Sequence, residues 1–192
     1  MTRIPLDRYV AVDCEMVRCR THMALARIAV VDHTGAEVYH SFVFVHPKDV
    51  ISYQTEVTGV TKDDLHGAPT FEVVQSIIKA LLSNKIVIGH ALFHDLAVLQ
   101  HRHVYEDMRD TALFYPLRER CGIQGEGKYP SLRNMTKEVL GRDIQCGRHC
   151  PLEDARATMD VFLTVREKYE AGLAAGDDVV AGVPGSLAHW YY

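Results

Sequence analysis

The stretch YVAVDCEMV, Tyr9 to Val17, opens as a buried β-strand and then carries two acids, Asp13 and Glu15, one residue apart. Strand side chains alternate faces, so residues i and i+2 point the same way. Asp13 and Glu15 therefore project together, and Cys14 turns to the other side. A strand inside a core does not bury anions without partners. Two like charges this close need something positive between them. A divalent cation fits, because hard cations take carboxylate oxygens.

The segments around this strand read as an α/β order. Residues 8–15 form the first strand, ALARIAVVD (Ala24–Asp32) the second, and AEVYHSFVFV (Ala36–Val45) the third, turned back through His33-Thr34-Gly35. Pro47 ends that part of the sheet. Thr70–Asn84 has apolar residues at helical spacing, with Thr70 as N-cap. Lys85–His90 is a short apolar strand, Ala91–Gln100 a helix, and EDMRDT holds a further short strand near Met108. Ser131–Gly141 is a helix capped by Ser131 and stopped by Gly141. Leu152–Gly172 is the longest helix, following Pro151. Three strands, then alternating helix and strand, then helices predict a mixed sheet. It combines an antiparallel meander with parallel later strands, flanked by helices. The Gly-rich loop Arg118–Pro130 is expected to be mobile, and the segment after Gly172 an appendage.

The chain has 192 residues, enough for one domain with a substantial core. Its 47% hydrophobic and 24% charged content is that of a soluble globular protein. No apolar run approaches the ~20 residues that span a bilayer. MTRIPLDRYV lacks the apolar stretch of a secretory signal. Five cysteines, odd in number and unevenly spread, predict a reduced, intracellular protein. Zinc is the rival reading for CGRHC (Cys146–Cys150), but its spacing fits no common zinc pattern. The formal charge of −4 divides as −2 over residues 1–95, +2 over 96–150 and −4 over 151–192. The lack of a long basic run argues against a large surface for non-specific duplex binding.

Two further acids sit where helices begin. Asp95 lies one turn into the helix after IVIGH, and Asp154 in the first turn of the last helix, five residues after His149. Four carboxylates and a histidine suit two divalent ions and a general base. Arg18, Arg20 and Arg27 read as solvated, with phosphate contact as the alternative. His90 and His94 read as structural or rim residues.

With these residues in place, VAVDCEMV, IGHALFHDLAVL and HCPLEDARATM resemble the three exonuclease motifs of the DEDD superfamily, in its histidine-containing branch. The DCEMV form, VTGVT (Val57–Thr61) and EDARATM narrow the resemblance to the RNA exonuclease 4 and interferon-stimulated 20 kDa exonuclease group. It spans Tyr9 to Tyr169. It implies an RNase H-like fold, with an exonuclease domain over residues 1–172 and a tail of unknown role over 173–192. It implies 3′ to 5′ removal of nucleoside 5′-monophosphates from single-stranded RNA, with single-stranded DNA or an inactive nucleic-acid-binding scaffold as alternatives. Two cations, Mg²⁺ or Mn²⁺, would be held by Asp13, Glu15, Asp95 and Asp154, and His149 would be the base. Met16, Gln54, Gly59, Thr61 and Leu92 would contact substrate. No membrane partner is implied, oligomeric state is left open, and the nucleus is expected over the cytoplasm. The chain departs from the pattern at SYQT (Ser52–Thr55), where many members have DYRT, so Gln54 replaces an arginine. Cys146 and Cys150 flank His149 where small polar residues are usual.

Overall fold

The computed structural model describes residues 4–125 and 127–192. The terminal Met1–Arg3 and Glu126 of the Gly-rich loop lie outside the described residues. Strand β1 (Tyr9–Cys19) runs through the middle of a six-stranded sheet. β2 (Met23–Asp32) and β3 (Glu37–Phe42) add to it as an antiparallel meander. On its other side β5 (Ile86–Gly89) and β6 (Met108–Asp110) follow in parallel. β4 (Val50–Ser52), between β3 and β5 in the chain, pairs with the far end of β1.

Burial on both faces explains the apolar content of β1 and β5. Val10 and Val12 pack with α3 (Phe71–Leu82) and α4 (Phe93–Leu99). α3 supplies Val74, Ile78 and Leu82, one apolar residue per turn. Tyr9 and Ala11 face the other way, onto α7 (Pro151–Ala175) through Ala155, Met159 and Phe162. α5 (Tyr115–Arg120) and α6 (Leu132–Leu140) complete that layer. The Ser131 hydroxyl caps α6 by accepting from the Asn134 N–H at 3.2 Å. Among the described residues no helix is long and apolar enough to cross a membrane.

The expected mixed sheet flanked by helices is the one observed, with differences at the edges of elements. β1 continues to Cys19 rather than stopping at residue 15, because a bulge at Glu15/Met16 lets the strand go on pairing. β3 is over at Phe42, ahead of Pro47, and the sheet resumes three residues after Pro47 in β4. α1 (Thr55–Thr58) and α2 (Lys62–Leu65) are single turns too short to show a period. Pro151 is the first residue of α7, where its missing N–H has no helical partner to lose. Gly172 does not end α7. It admits the returning chain: a Cβ there would sit 2.6 Å from Val179 Cγ1.

The boundary expected at residue 172 thus falls inside a helix, and the segment beyond that helix is packed. The Ala181 N–H donates to the Leu113 carbonyl at 2.9 Å, and Val180 bridges to Phe114. α8 (Ala188–Tyr191) buries Tyr191 against Phe93 and Tyr105. In the Gly-rich loop, the buried Arg118 donates to the carbonyls of Gly125 and Lys128.

A candidate metal-dependent active site

The alternation that places Tyr9 and Ala11 against α7 carries Asp13 and Glu15 to the same face, while Cys14 and Met16 pack toward α3 and α4. Asp13, Glu15, His149 and Asp154 line one cleft of about 250 Å³, with His90, Ser131 and Gln145 on its walls. His149 Nδ1 is 4.0 Å from Glu15 Oε1 and 3.8 Å from Asp154 Oδ2. Ligand atoms of Glu15, His149 and Asp154 all lie within 4.8 Å of one another.

Asp95 does not line this cleft. It reaches Asp13 from the α4 side and is the strongest charged neighbour of the Asp13 carboxyl. The Cys14 backbone N–H and thiol donate to its carboxylate. The entry to α4 is set by Asp110 at the end of β6. Its buried carboxylate accepts from the N–H groups of Ala91 (3.0 Å) and Leu92 (2.8 Å). Asp110 gave no catalytic signal in the sequence. Its role is to fix the turn that presents Asp95.

The acids are far from their ordinary ionisation. Burial first, then the charges of Asp95, Asp154 and Glu15, hold the Asp13 carboxyl well above the usual range. Burial and Asp154 push Glu15 up to about 8, against the pull of Arg27. Burial pushes Asp95 to about 8 as well, and raises Asp154. A set of buried acids that disfavour one another's charge is a set that a cation would discharge. Asp154 gives a sharper indication. Its Oδ2 accepts from the Gln145 side chain at 2.9 Å, while its Oδ1 is buried with no hydrogen-bond partner among the described residues. A buried oxygen left without a donor is costly, and a divalent cation at Oδ1 would satisfy it. The residues fit the metal.

His149 is held by its backbone. Its N–H donates to the Val57 carbonyl at 2.6 Å, tying the loop before α7 to the end of α1. Gly59, in the left-handed region at φ 69°, lets the same segment press against Arg148 and the His149 carbonyl.

The substrate contacts expected from the sequence divide. The Gln54 side chain donates to the Met16 carbonyl at 3.4 Å, so these two residues are neighbours. The Thr61 hydroxyl is committed to the cap of α2, donating to Asp64 at 2.6 Å. Leu92 is 0% exposed in the core and presents no side-chain surface to a ligand, which corrects its assignment. Arg27 is not freely solvated. It stands opposite Glu15 across the β1–β2 pair, donates to His40 Nε2 at 2.9 Å, and lies over the Phe42 ring. Arg18 and Arg20 are exposed as expected. His90 is structural: Nε2 meets the Pro130 carbonyl at 2.8 Å, Nδ1 lies 3.0 Å from the Thr111 hydroxyl, and burial pushes its pKa down to about 4. Gln145 is the site residue that sequence reasoning misses. Its backbone is left-handed at φ 53°, and nothing in DIQCG marks it as a partner of an acid nine residues on.

The model of the family described as Exonuclease matches residues 10–162. The chain belongs to the exonuclease family. RNA exonuclease 4 of Mycosarcoma maydis is 42% identical to this exonuclease chain over 185 residues, covering 94% of it and 47% of the relative. Interferon-stimulated 20 kDa exonuclease-like 2 of Homo sapiens is 35% identical over 172 residues, covering 87% and 48%. The chain spans about half the length of these relatives. Among solved structures, the Saccharomyces cerevisiae Pan2 pseudoubiquitin hydrolase–RNA exonuclease module in complex with A7 RNA is similar. Its TM-score is 0.71 at 25% identity, over 90% of this exonuclease chain and 33% of the module's chain. The fold is RNase H-like.

Proposed function

We propose that this chain is a 3′ to 5′ exoribonuclease that releases nucleoside 5′-monophosphates from single-stranded RNA. The observation that carries the reading is the cleft where Asp13, Glu15, Asp154 and His149 meet, with one Asp154 oxygen left without a partner. The name of the RNA exonuclease 4 relatives supports RNA as the substrate. Asp13, Glu15 and Asp154, with Asp95 behind Asp13, would hold two divalent cations, Mg²⁺ or Mn²⁺. Bound there, these would activate water and neutralise charge on the scissile phosphate. His149, on the solvent side of the two acids at 33% side-chain exposure, takes the proton from the attacking water. Gln145 holds Asp154 through Oδ2 and leaves Oδ1 for the cation. Met16 and Gln54, joined by the hydrogen bond from the Gln54 side chain to the Met16 carbonyl, would contact the terminal nucleotide. An intracellular, nuclear setting belongs to the same proposal.

Matched 3′-labelled and 5′-labelled RNA and DNA oligonucleotides of one sequence test the reading. With Mg²⁺, the RNA labelled at its 5′ end should shorten one nucleotide at a time. The 3′-labelled RNA should release its label at once as a nucleoside 5′-monophosphate, and chelator should stop both. Equal or faster loss of DNA would assign the site to single-stranded DNA. Binding without hydrolysis would leave a scaffold, and full activity in excess chelator would reject the metal.

A further inference from the structure

A second cavity, of about 910 Å³, lies away from the acid cluster. It falls within the usual range for small-molecule sites. Its walls are mostly apolar and aromatic, with Tyr9, Tyr169 and Tyr191 buried in them and Tyr105 at the rim. Arg166, on α7, also faces it. Twelve residues separate Arg166 from Asp154, which places the cavity about 18 Å along the helix from the catalytic end.

Two arginines line the cavity, and they differ. Arg109 is satisfied: its Nε and Nη2 each donate to Glu170 at 2.8 Å, and Nη1 donates to the carbonyls of Glu106 and Met108. Arg166 is 8% exposed, yet among the described residues its guanidinium has no hydrogen-bond partner. The carboxylate of Glu167 is 4.0 Å away and 83% exposed, and the Tyr9 ring lies at 6.0 Å. The Arg166 nitrogens are not among the buried side-chain atoms left without a partner, so the guanidinium is open to the cavity, with Glu167 as a long ion-pair partner. An anion entering the cavity would meet hydrogen-bond donors in a planar fork.

We propose that this cavity is a binding site for a flat, apolar small molecule that carries one negative charge, its anionic group on Arg166 and its body among the tyrosines. A single charge is favoured over two because, among the described residues lining the cavity, Arg166 is the one arginine without hydrogen bonds, while Arg109 is already held by Glu170. A dianionic phosphate monoester would bring a second charge with no second open guanidinium to meet it. The cavity shares no lining residue with the acidic cleft, so this site stands whether or not the exoribonuclease reading does.

Isothermal titration of the full chain with Mg²⁺ tests it, using 2-naphthoate as probe and 2-naphthylmethanol as its uncharged counterpart. The acid should bind about tenfold more tightly than the alcohol, because charge-assisted hydrogen bonds are the stronger class. Arg166→Gln should bring the acid down to the alcohol's affinity. Ala171→Trp, which adds a large ring to the helical wall of the cavity five residues from Arg166, should weaken both, and guards against misfolding of the first variant. Asp154→Asn should change neither. Equal binding of acid and alcohol, no binding of either, or loss of binding in Asp154→Asn but not in Ala171→Trp overturns the proposal. Adenosine 5′-monophosphate serves as the dianionic arm. Binding tighter than 2-naphthoate that is lost in Arg166→Gln would overturn the single-charge choice.

Discussion

Asp154 shows how one side chain can be built for a ligand. Its two oxygens share a carboxylate, yet one accepts from Gln145 and the other has no donor among the described residues. Gln145→Leu should therefore act on catalysis through Asp154. The expected loss in kcat is about tenfold, with metal affinity weakened by a similar factor, the scale on which groups supporting metal ligands usually act. Steady-state rates against Mg²⁺ concentration measure both, and Gln145→Asn should fail to rescue because its amide is one methylene short. Asp13→Asn removes a charge that three acids oppose. In chelator the variant should melt higher than the parent, because Asn carries neither a charge that its neighbours oppose nor the cost of holding a proton that the unfolded chain has released. In Mg²⁺ it should lose several kcal/mol of transition-state stabilisation, on the order of 10³-fold in rate. A variant that loses rate and also melts lower in chelator would show Asp13 to be structural. His149→Ala should cost ~10²–10⁴-fold in rate, the usual range for a general base. If metal affinity falls instead and turnover at saturating metal survives, His149 is a ligand, as its position within 4.8 Å of the Glu15 and Asp154 oxygens would permit.

Between the elements, α1 and the start of α7 meet at one backbone hydrogen bond, from the His149 N–H to the Val57 carbonyl. Gly59 makes that approach possible. A Cβ there would lie 3.3 Å from Arg148 Cβ and 3.5 Å from the His149 carbonyl, on a backbone at φ 69° that side chains rarely adopt. Gly59→Ala should destabilise the protein by ~1 kcal/mol and move the His149 loop. Its kcat should then fall more than its KM changes. A variant with unaltered kcat would detach α1 from the base. VTGVT was legible as a motif but not as a brace, because the contact joins segments about ninety residues apart in sequence. The same limit applies elsewhere. The period of 2 in β1 foretold which face Asp13 and Glu15 share. The helical spacing of Thr70–Asn84 foretold the buried stripe of α3. β4, α1 and α2 are three or four residues long and too short for any period. Leu92 carried no sign that Gly89 and the turn held by Asp110 would bury it. The packing of Tyr191 depends on Phe93 and Tyr105, which no local pattern connects to a C-terminal segment.

At the scale of the molecule, two sets of buried titratable groups pull stability in opposite directions as pH changes. Glu15 and Asp95 titrate near 8 in the metal-free fold, well above their ordinary carboxylate values. From there up to about pH 8 the native state holds protons that the unfolded chain has released. Stability must fall as pH rises through that window. His90 and His101 titrate near 4 instead of 6.5, chiefly through burial. Between those values the unfolded chain binds protons that the native state refuses. This contribution is complete above pH 6.5 and is lost as pH falls through 4. A divalent cation keeps the carboxylates ionised and removes the first slope while leaving the second. Urea midpoints should therefore rise as chelated protein is taken from pH 8 to 6.5. In saturating Mg²⁺ they should stay level over that range and then fall below pH 6.5. His101→Gln should flatten the acid limb in part, in both conditions. If Mg²⁺ leaves the limb between pH 8 and 6.5 unchanged, these carboxylates do not hold the metal, and the cleft has been assigned the wrong ligands.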